Sequence, residues 1–127
     1  MFVGADRNGR PILIGNSKTR EPAWSGVKPS DLVMLGMITC SGYDVVDILG
    51  KQHQQLTSFD ISATGDQRDE PPYAFTMIHI EYVVRGKNLN EALVQRAVNL
   101  SENKYCSVIA TVRPGCAITT HYRIEET

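Results

Sequence analysis

Three thiols stand at Cys40, Cys106 and Cys116 in a chain of 127 residues. A thiolate serves as nucleophile, metal ligand or redox centre, and each use needs different companions. Zinc would need clustered Cys and His, but His53, His79 and His121 are scattered and no Cys/His spacing fits a zinc site. No metal is therefore expected. Ser41 adjoins Cys40, yet nothing nearby completes a Ser–His–acid set. No glycine-rich loop of the P-loop or dinucleotide type occurs, so no cofactor is expected either. Thiol chemistry itself remains. Alone in an apolar stretch, Cys40 would read as a small hydrophobe filling a gap. A second thiol in an ordered position, Cys106, opens the redox reading. Cys116 follows Gly115 at a strand start and reads as a spare buried thiol.

Composition narrows the class. Apolar residues make up 42% and charged residues 21%, an ordinary globular balance, and the length suits one domain over residues 1–127. A net charge of −1 with no basic run argues against nucleic acid as a partner. The opening MFVGADRNGR carries charge too early for a secretory leader. Cytoplasmic location is the expectation. Cytosolic thiols that matter are catalytic, metal-binding or redox-active.

The elements that must position the thiols begin with Lys28 to His53, which reads as one long helix holding Cys40 near its middle. Pro29 suits the first helical position, and Ser30 and Asp31 suit the start of the dipole. Leu32, Val33, Met34, Leu35, Met37 and Ile38 leave no wide polar face, so the helix is expected to be buried, beginning inside a core and ending near its edge. Thr39, Ser41, Asp44 and Asp47 interrupt it, and it reads as too short to span a membrane. Before it, residues 3–6 and 11–15 read as a hairpin around Asn8-Gly9. Gly15 to Lys28 is a long irregular stretch carrying Arg20, Glu21 and Trp24. From the loop alone, Arg20 is a solvated surface arginine.

After the helix, Leu56–Gly65 and Phe75–Arg85 alternate as antiparallel strands around a charged, proline-marked loop. Asn88–Lys104 reads as an amphipathic helix capped by Asn88 or Asn90. Cys106 follows, where that helix ends and a short helical or extended segment begins. Ala117–Ile124 closes the chain as a strand. The order implies an α+β fold with a mainly antiparallel sheet, and so apolar a helix in so small a chain implies a dimer core.

ITCSGYDVVDIL around Cys40, together with LSENKYCSV around Cys106, resembles the OsmC/Ohr family of thiol-dependent hydroperoxide reductases. The likeness runs from Arg20 to the final strand. It implies an intertwined homodimer with a long buried central helix and two sites near the subunit interface. It implies that Cys40 attacks the peroxide and that Cys106 resolves the sulfenic acid as a disulfide. Arg20 stands at the distance from Cys40 of the family's activating arginine. The family's glutamate at the helix start has no counterpart here. Ser30 and Asp31 occupy the neighbouring positions, and Asp31 is one methylene shorter.

Cys40 lies about three turns into its helix, roughly 15 Å along the axis, beyond useful reach of the dipole. A cation must supply the stabilisation, and an arginine stays charged and offers a fork of donors to both carboxylate and thiolate. The resemblance thus implies Arg20 folded over Cys40 and fixed by Asp31. Trp24, Met34, Met37, Tyr43 and Tyr105 are apolar or aromatic candidates for the pocket wall, which would favour an organic hydroperoxide. A dithiol would be the reductant. The missing glutamate keeps a second class open: an OsmC-like dimer that binds a small apolar molecule or senses oxidants without turnover.

Overall fold

The computed structural model describes residues 2–16 and 20–127. Residues 17–19 of the long early loop therefore lie outside the described residues. The chain divides into two compact units, Met1–Leu35 and Gly36–Thr127.

In the first unit, β1 (Phe2–Ala5) and β2 (Pro11–Ile14) form the expected antiparallel hairpin. Asp6 organises its turn, with Oδ1 accepting from the N–H groups of Asn8 and Arg10. Gly9 at φ 79° supplies the left-handed residue. The following loop returns so that Val27 bridges Ile14 in parallel. Asn16 staples it, donating from Nδ2 to the Pro22 carbonyl and accepting at Oδ1 from the Trp24 N–H, each at 2.8 Å. The two passes approach so closely that a Cβ on Gly15 would stand 2.5 Å from the Trp24 carbonyl oxygen.

Helix α1 spans Asp31–Lys51. It starts later than expected at Lys28. The N–H groups of Asp31, Leu32 and Val33 take the carbonyls of Lys28, Pro29 and Ser30, in a tight turn ahead of the helix. Ser30 does not cap: its hydroxyl is buried and has no hydrogen-bond partner among the described residues. Asp31 does sit in the first turn. His53 ends the helix in the left-handed region at φ 58°, and Gln54 N–H returns to the Leu49 carbonyl.

Burial of α1 differs from the sequence expectation. Met37, Ser41, Gly42, Val45 and Leu49 are buried, a single stripe, while Val33, Leu35, Tyr43 and Val46 are exposed. Cover thus follows that one stripe, all of it within Gly36–Thr127, and the neighbouring apolar positions Tyr43 and Val46 are left exposed. With 21 residues it is also, by length and composition alone, long and apolar enough to cross a membrane, so the expectation that it is too short does not hold.

The second unit contains a three-stranded sheet of β3 (Leu56–Gln67), β4 (Phe75–Gly86) and β5 (Ala117–Glu126), in that order. β3 and β4 pair antiparallel, and β5 joins β4 in parallel. Ile78, Ile80, Tyr82 and Val84 are fully buried beneath the helices, as their alternation requires. The opposite face carries polar ladders, such as Glu81 between His79 and His121. Among the described residues, two of the three strand pairings are antiparallel, and the α+β fold class holds.

A parallel partner needs a crossover, and the helices supply it. Helix α2 is Glu91–Leu100, shorter than the predicted Asn88–Lys104. Asn90 is the cap, its side chain accepting from the Leu93 N–H. Ser101–Tyr105 winds on as a π-helical turn, and α3 (Ser107–Val112) follows Cys106.

Candidate functional site

The site is built where α1 passes the π-helical turn. Cys40 and Asp44 are one helical turn apart on α1, so they share a face. The π turn closes with the Cys106 N–H donating to the Ser101 carbonyl at 2.9 Å, an i to i+5 bond. That bond ends the turn at Cys106 and presents its side chain beneath α1. Cys106 Sγ lies 4.0 Å from the Met37 carbonyl oxygen. The two cysteines, 66 positions apart in the chain, thus meet: one ligand-type atom each of Cys40, Asp44 and Cys106 lies within 4.8 Å of the other two.

The thiols differ in setting. Cys106 is buried, and burial pushes its thiol up to about 11. The N–H of Ile109, donating to Cys106 Sγ at 3.4 Å, works against that rise. Cys40 is partly exposed, and its sulfur stands 4.0 Å from Ser107 Oγ. Cys116 is buried elsewhere, at the start of β5, and burial raises its thiol too.

Behind the thiols runs a chain of hydroxyls. Ser101 donates to Asp44 Oδ2 at 3.0 Å, and Ser41 Oγ lies 2.8 Å from Ser101 Oγ. Tyr82 OH makes a short hydrogen bond to Ser41 Oγ. Ser101 spends its one hydrogen on Asp44, so Ser41 donates to Ser101 and Tyr82 donates to Ser41. Every hydrogen then points toward Asp44. Ser41, Ser101 and Tyr82 are fully buried. Burial pushes the Tyr82 phenol up to about 12, against the lowering effect of its bond to Ser41.

Two hollows flank this centre. A cavity of about 510 Å³ is lined by Asp44, Asp47, Lys51, Arg96, Leu100 and Tyr105 among others. Asp44 and Tyr105 connect it to the thiol pair. An open, mostly apolar depression of about 500 Å³ lies across α1 and β3, lined by Ile38, Gly42, Tyr43, Val46, Phe59 and Ile61 together with Thr39 and Asp47.

Of the residues singled out from sequence, Cys40 and Cys106 come together. Met37 is fully buried, Tyr105 lines the cavity beside Asp44, and Tyr43, 76% exposed, lines the apolar depression. Arg20, Trp24, Asp31 and Met34 belong to the first unit, where Arg20 and Trp24 are exposed. Asp44, Ser41 and Ser101 were missed. The spacing of Asp44 from Cys40 was the available signal, but a carboxylate in the more polar half of a helix reads as solvent-facing.

The family model described as OsmC-like protein matches residues 21–121. The chain belongs to the OsmC-like family. Arg20 lies immediately before the matched range. Protein YhfA of Escherichia coli K12 is 36% identical to this OsmC-like chain over 124 residues, covering 97% of it and 89% of YhfA. The crystal structure of a hypothetical protein from Aquifex aeolicus VF5 superposes with a TM-score of 0.85 at 29% identity, covering 99% of this chain and 88% of that one. The organic hydroperoxide resistance protein OhrB of Bacillus subtilis shares the fold at a TM-score of 0.61 and 18% identity, over 94% of this chain and 87% of that one.

Proposed function

We propose that the protein is a cysteine-based peroxidase that reduces organic hydroperoxides in the cytoplasm as part of oxidative-stress defence. The observation that carries this reading is the convergence of the Cys40 and Cys106 sulfurs from distant parts of the chain. Cys40, the more exposed thiol, attacks as thiolate the terminal oxygen of the hydroperoxide. The O–O bond breaks, the alcohol leaves with a proton, and Cys40 becomes a sulfenic acid. Cys106 then attacks that sulfur, an S–S bond forms, and water leaves. A dithiol reductant returns both thiols. Disulfide formation needs Cα atoms within about 7 Å, a spacing compatible with sulfurs this close.

Arg20 supplies the positive charge for the thiolate and the leaving oxygen, with Asp31 orienting it. Trp24, Met34, Met37, Tyr43 and Tyr105 supply apolar wall for the organic group. The single domain works as an intertwined homodimer. Support for the dimer is the uncovered apolar side of α1, with Tyr43 and Val46 exposed beside Phe59 and Ile61. A second copy placing its own α1 there completes the core and leaves no apolar helix side for a membrane.

The test is consumption of an organic hydroperoxide by purified protein with a dithiol. Wild type turns over, C40S is inactive, and C116S matches wild type. Equal consumption by wild type and C40S contradicts the proposal. The cavity beside Asp44 and Tyr105 favours, as the second reading, a small-molecule-binding or redox-sensing dimer. A ligand retained through purification, with no peroxide consumption, would select it.

A further inference from the structure

We propose that Cys40, Asp44 and Cys106, with both thiols reduced, form a binding site for one divalent cation of the zinc class. The sequence offered no such site, because its histidines are scattered. The fold makes one from a carboxylate instead. Among the described residues, these three side chains bring one ligand-type atom each within 4.8 Å of the other two. Tetrahedral zinc, with bonds of about 2.3 Å to sulfur and about 2.1 Å to oxygen, spaces its ligands about 3.6–3.8 Å apart. Rotation of the side chains by about an ångström therefore closes the site.

The donor set decides the metal. Two thiolates and one carboxylate suit zinc and disfavour magnesium and calcium, which take oxygen ligands. Three protein ligands leave a fourth position for water. The outer shell is already in place: Ser101 holds Asp44 Oδ2 at 3.0 Å, and Ser41 and Tyr82 stand behind it. Hydrogen-bonded support of this kind fixes a ligating carboxylate. Cys106 is held at the head of α3 and Cys40 by the helix, so the ligands need little ordering. On binding, both thiols release their protons to solvent and two metal–sulfur bonds form, with no change of oxidation state. The same two sulfurs cannot hold the cation and be joined to each other. The inference goes beyond the peroxidase reading and needs only reduced thiols.

The test is anaerobic titration of reduced, metal-free protein with Co²⁺, followed by Zn²⁺. The expected result is a thiolate-to-cobalt charge-transfer band that saturates at one Co²⁺ per chain and is erased by Zn²⁺. C40S and C106S lose the band, and D44N weakens cobalt binding by about tenfold or more. Circular dichroism confirms that each variant is folded. A second readout uses wild type alone: Zn²⁺ protects both Cys40 and Cys106 from alkylation, scored by peptide mass. Absence of the band in folded wild type, an unchanged band in C40S or C106S, or unchanged affinity in D44N overturns the three-ligand site. Peroxide plays no part in this experiment. Inactive protein that still binds Co²⁺ would overturn the peroxidase proposal and leave this one standing.

Discussion

Ser101 donates its hydroxyl hydrogen to Asp44 Oδ2 at 3.0 Å. That one bond ties the π-helical turn, which delivers Cys106, to α1, which delivers Cys40. It also ends a fully buried run of hydroxyls from Tyr82 through Ser41. A buried network is stabilising when every member is satisfied and costly when one is removed.

Removal of Ser101 tests that cost. S101A leaves the Ser41 hydroxyl without its acceptor and Asp44 Oδ2 without its donor. The expected loss is about 1–3 kcal/mol of unfolding free energy, measured by urea denaturation. An S101A protein as stable as wild type would show that the network carries no net stability.

Alkali should reveal Tyr82. Its phenol is raised by burial to about 12 in the folded protein, whereas the unfolded phenol ionises near its ordinary 10.0. The group's contribution is therefore full below pH ~10 and is lost as pH rises toward ~12. Wild type should lose stability across that window, and Y82F should lose less. Parallel decline of the two proteins would remove Tyr82 as the cause.

Alkylation should separate the thiols. Burial raises Cys106 to about 11, so its thiolate is scarce at neutral pH. In native reduced protein, iodoacetamide should label Cys40 before Cys106 or Cys116, with labelling of Cys106 growing as pH climbs toward ~11. In denaturant the three should react alike. Prior labelling of Cys106 in native protein would contradict the burial argument.

A charge on the uncovered side of α1 should break the dimer. Val46 is exposed beside Tyr43, and V46E places a carboxylate where the proposal seats a second apolar helix. Light scattering on sizing should give a dimer for wild type and a shift to monomer for V46E. A monomeric wild type at micromolar concentration would end the dimer proposal.

What the sequence made legible followed periodicity. The alternation of Ile78, Ile80, Tyr82 and Val84 located β4 and its buried face. Asn88 and Asn90 were both legible as caps of α2, and Asn90 is the one whose oxygen caps it. Three features were not legible. The parallel pairing of β5 with β4 depends on the crossover, which leaves no trace in the strand's own residues. The end of α2 at Leu100 was hidden because Ser101–Tyr105 remains helical in composition while changing its hydrogen-bond register. Asp44 was hidden because polarity on a helix says nothing of which buried hydroxyl will meet it. The half-covered state of α1 has a like origin: apolar composition does not say which positions the rest of the fold will reach.

Arg20 is tested by kinetics. On the proposed role of Arg20 as the charge beside thiolate and leaving oxygen, R20A should lower the second-order rate of Cys40 with an organic hydroperoxide by about a hundredfold or more. Its fold should be unchanged, because Arg20 is exposed. Unchanged peroxide kinetics would remove Arg20 from the site.

Which sulfurs join decides most directly between these chemistries. Wild-type protein treated with one equivalent of an organic hydroperoxide, blocked with a thiol reagent and digested without reductant, should yield a single linked peptide pair joining Cys40 to Cys106. Cys116 should be recovered blocked. Under the same treatment C106S should carry one added oxygen on Cys40. A disulfide involving Cys116, or Cys40 and Cys106 both recovered as free thiols, would contradict the account.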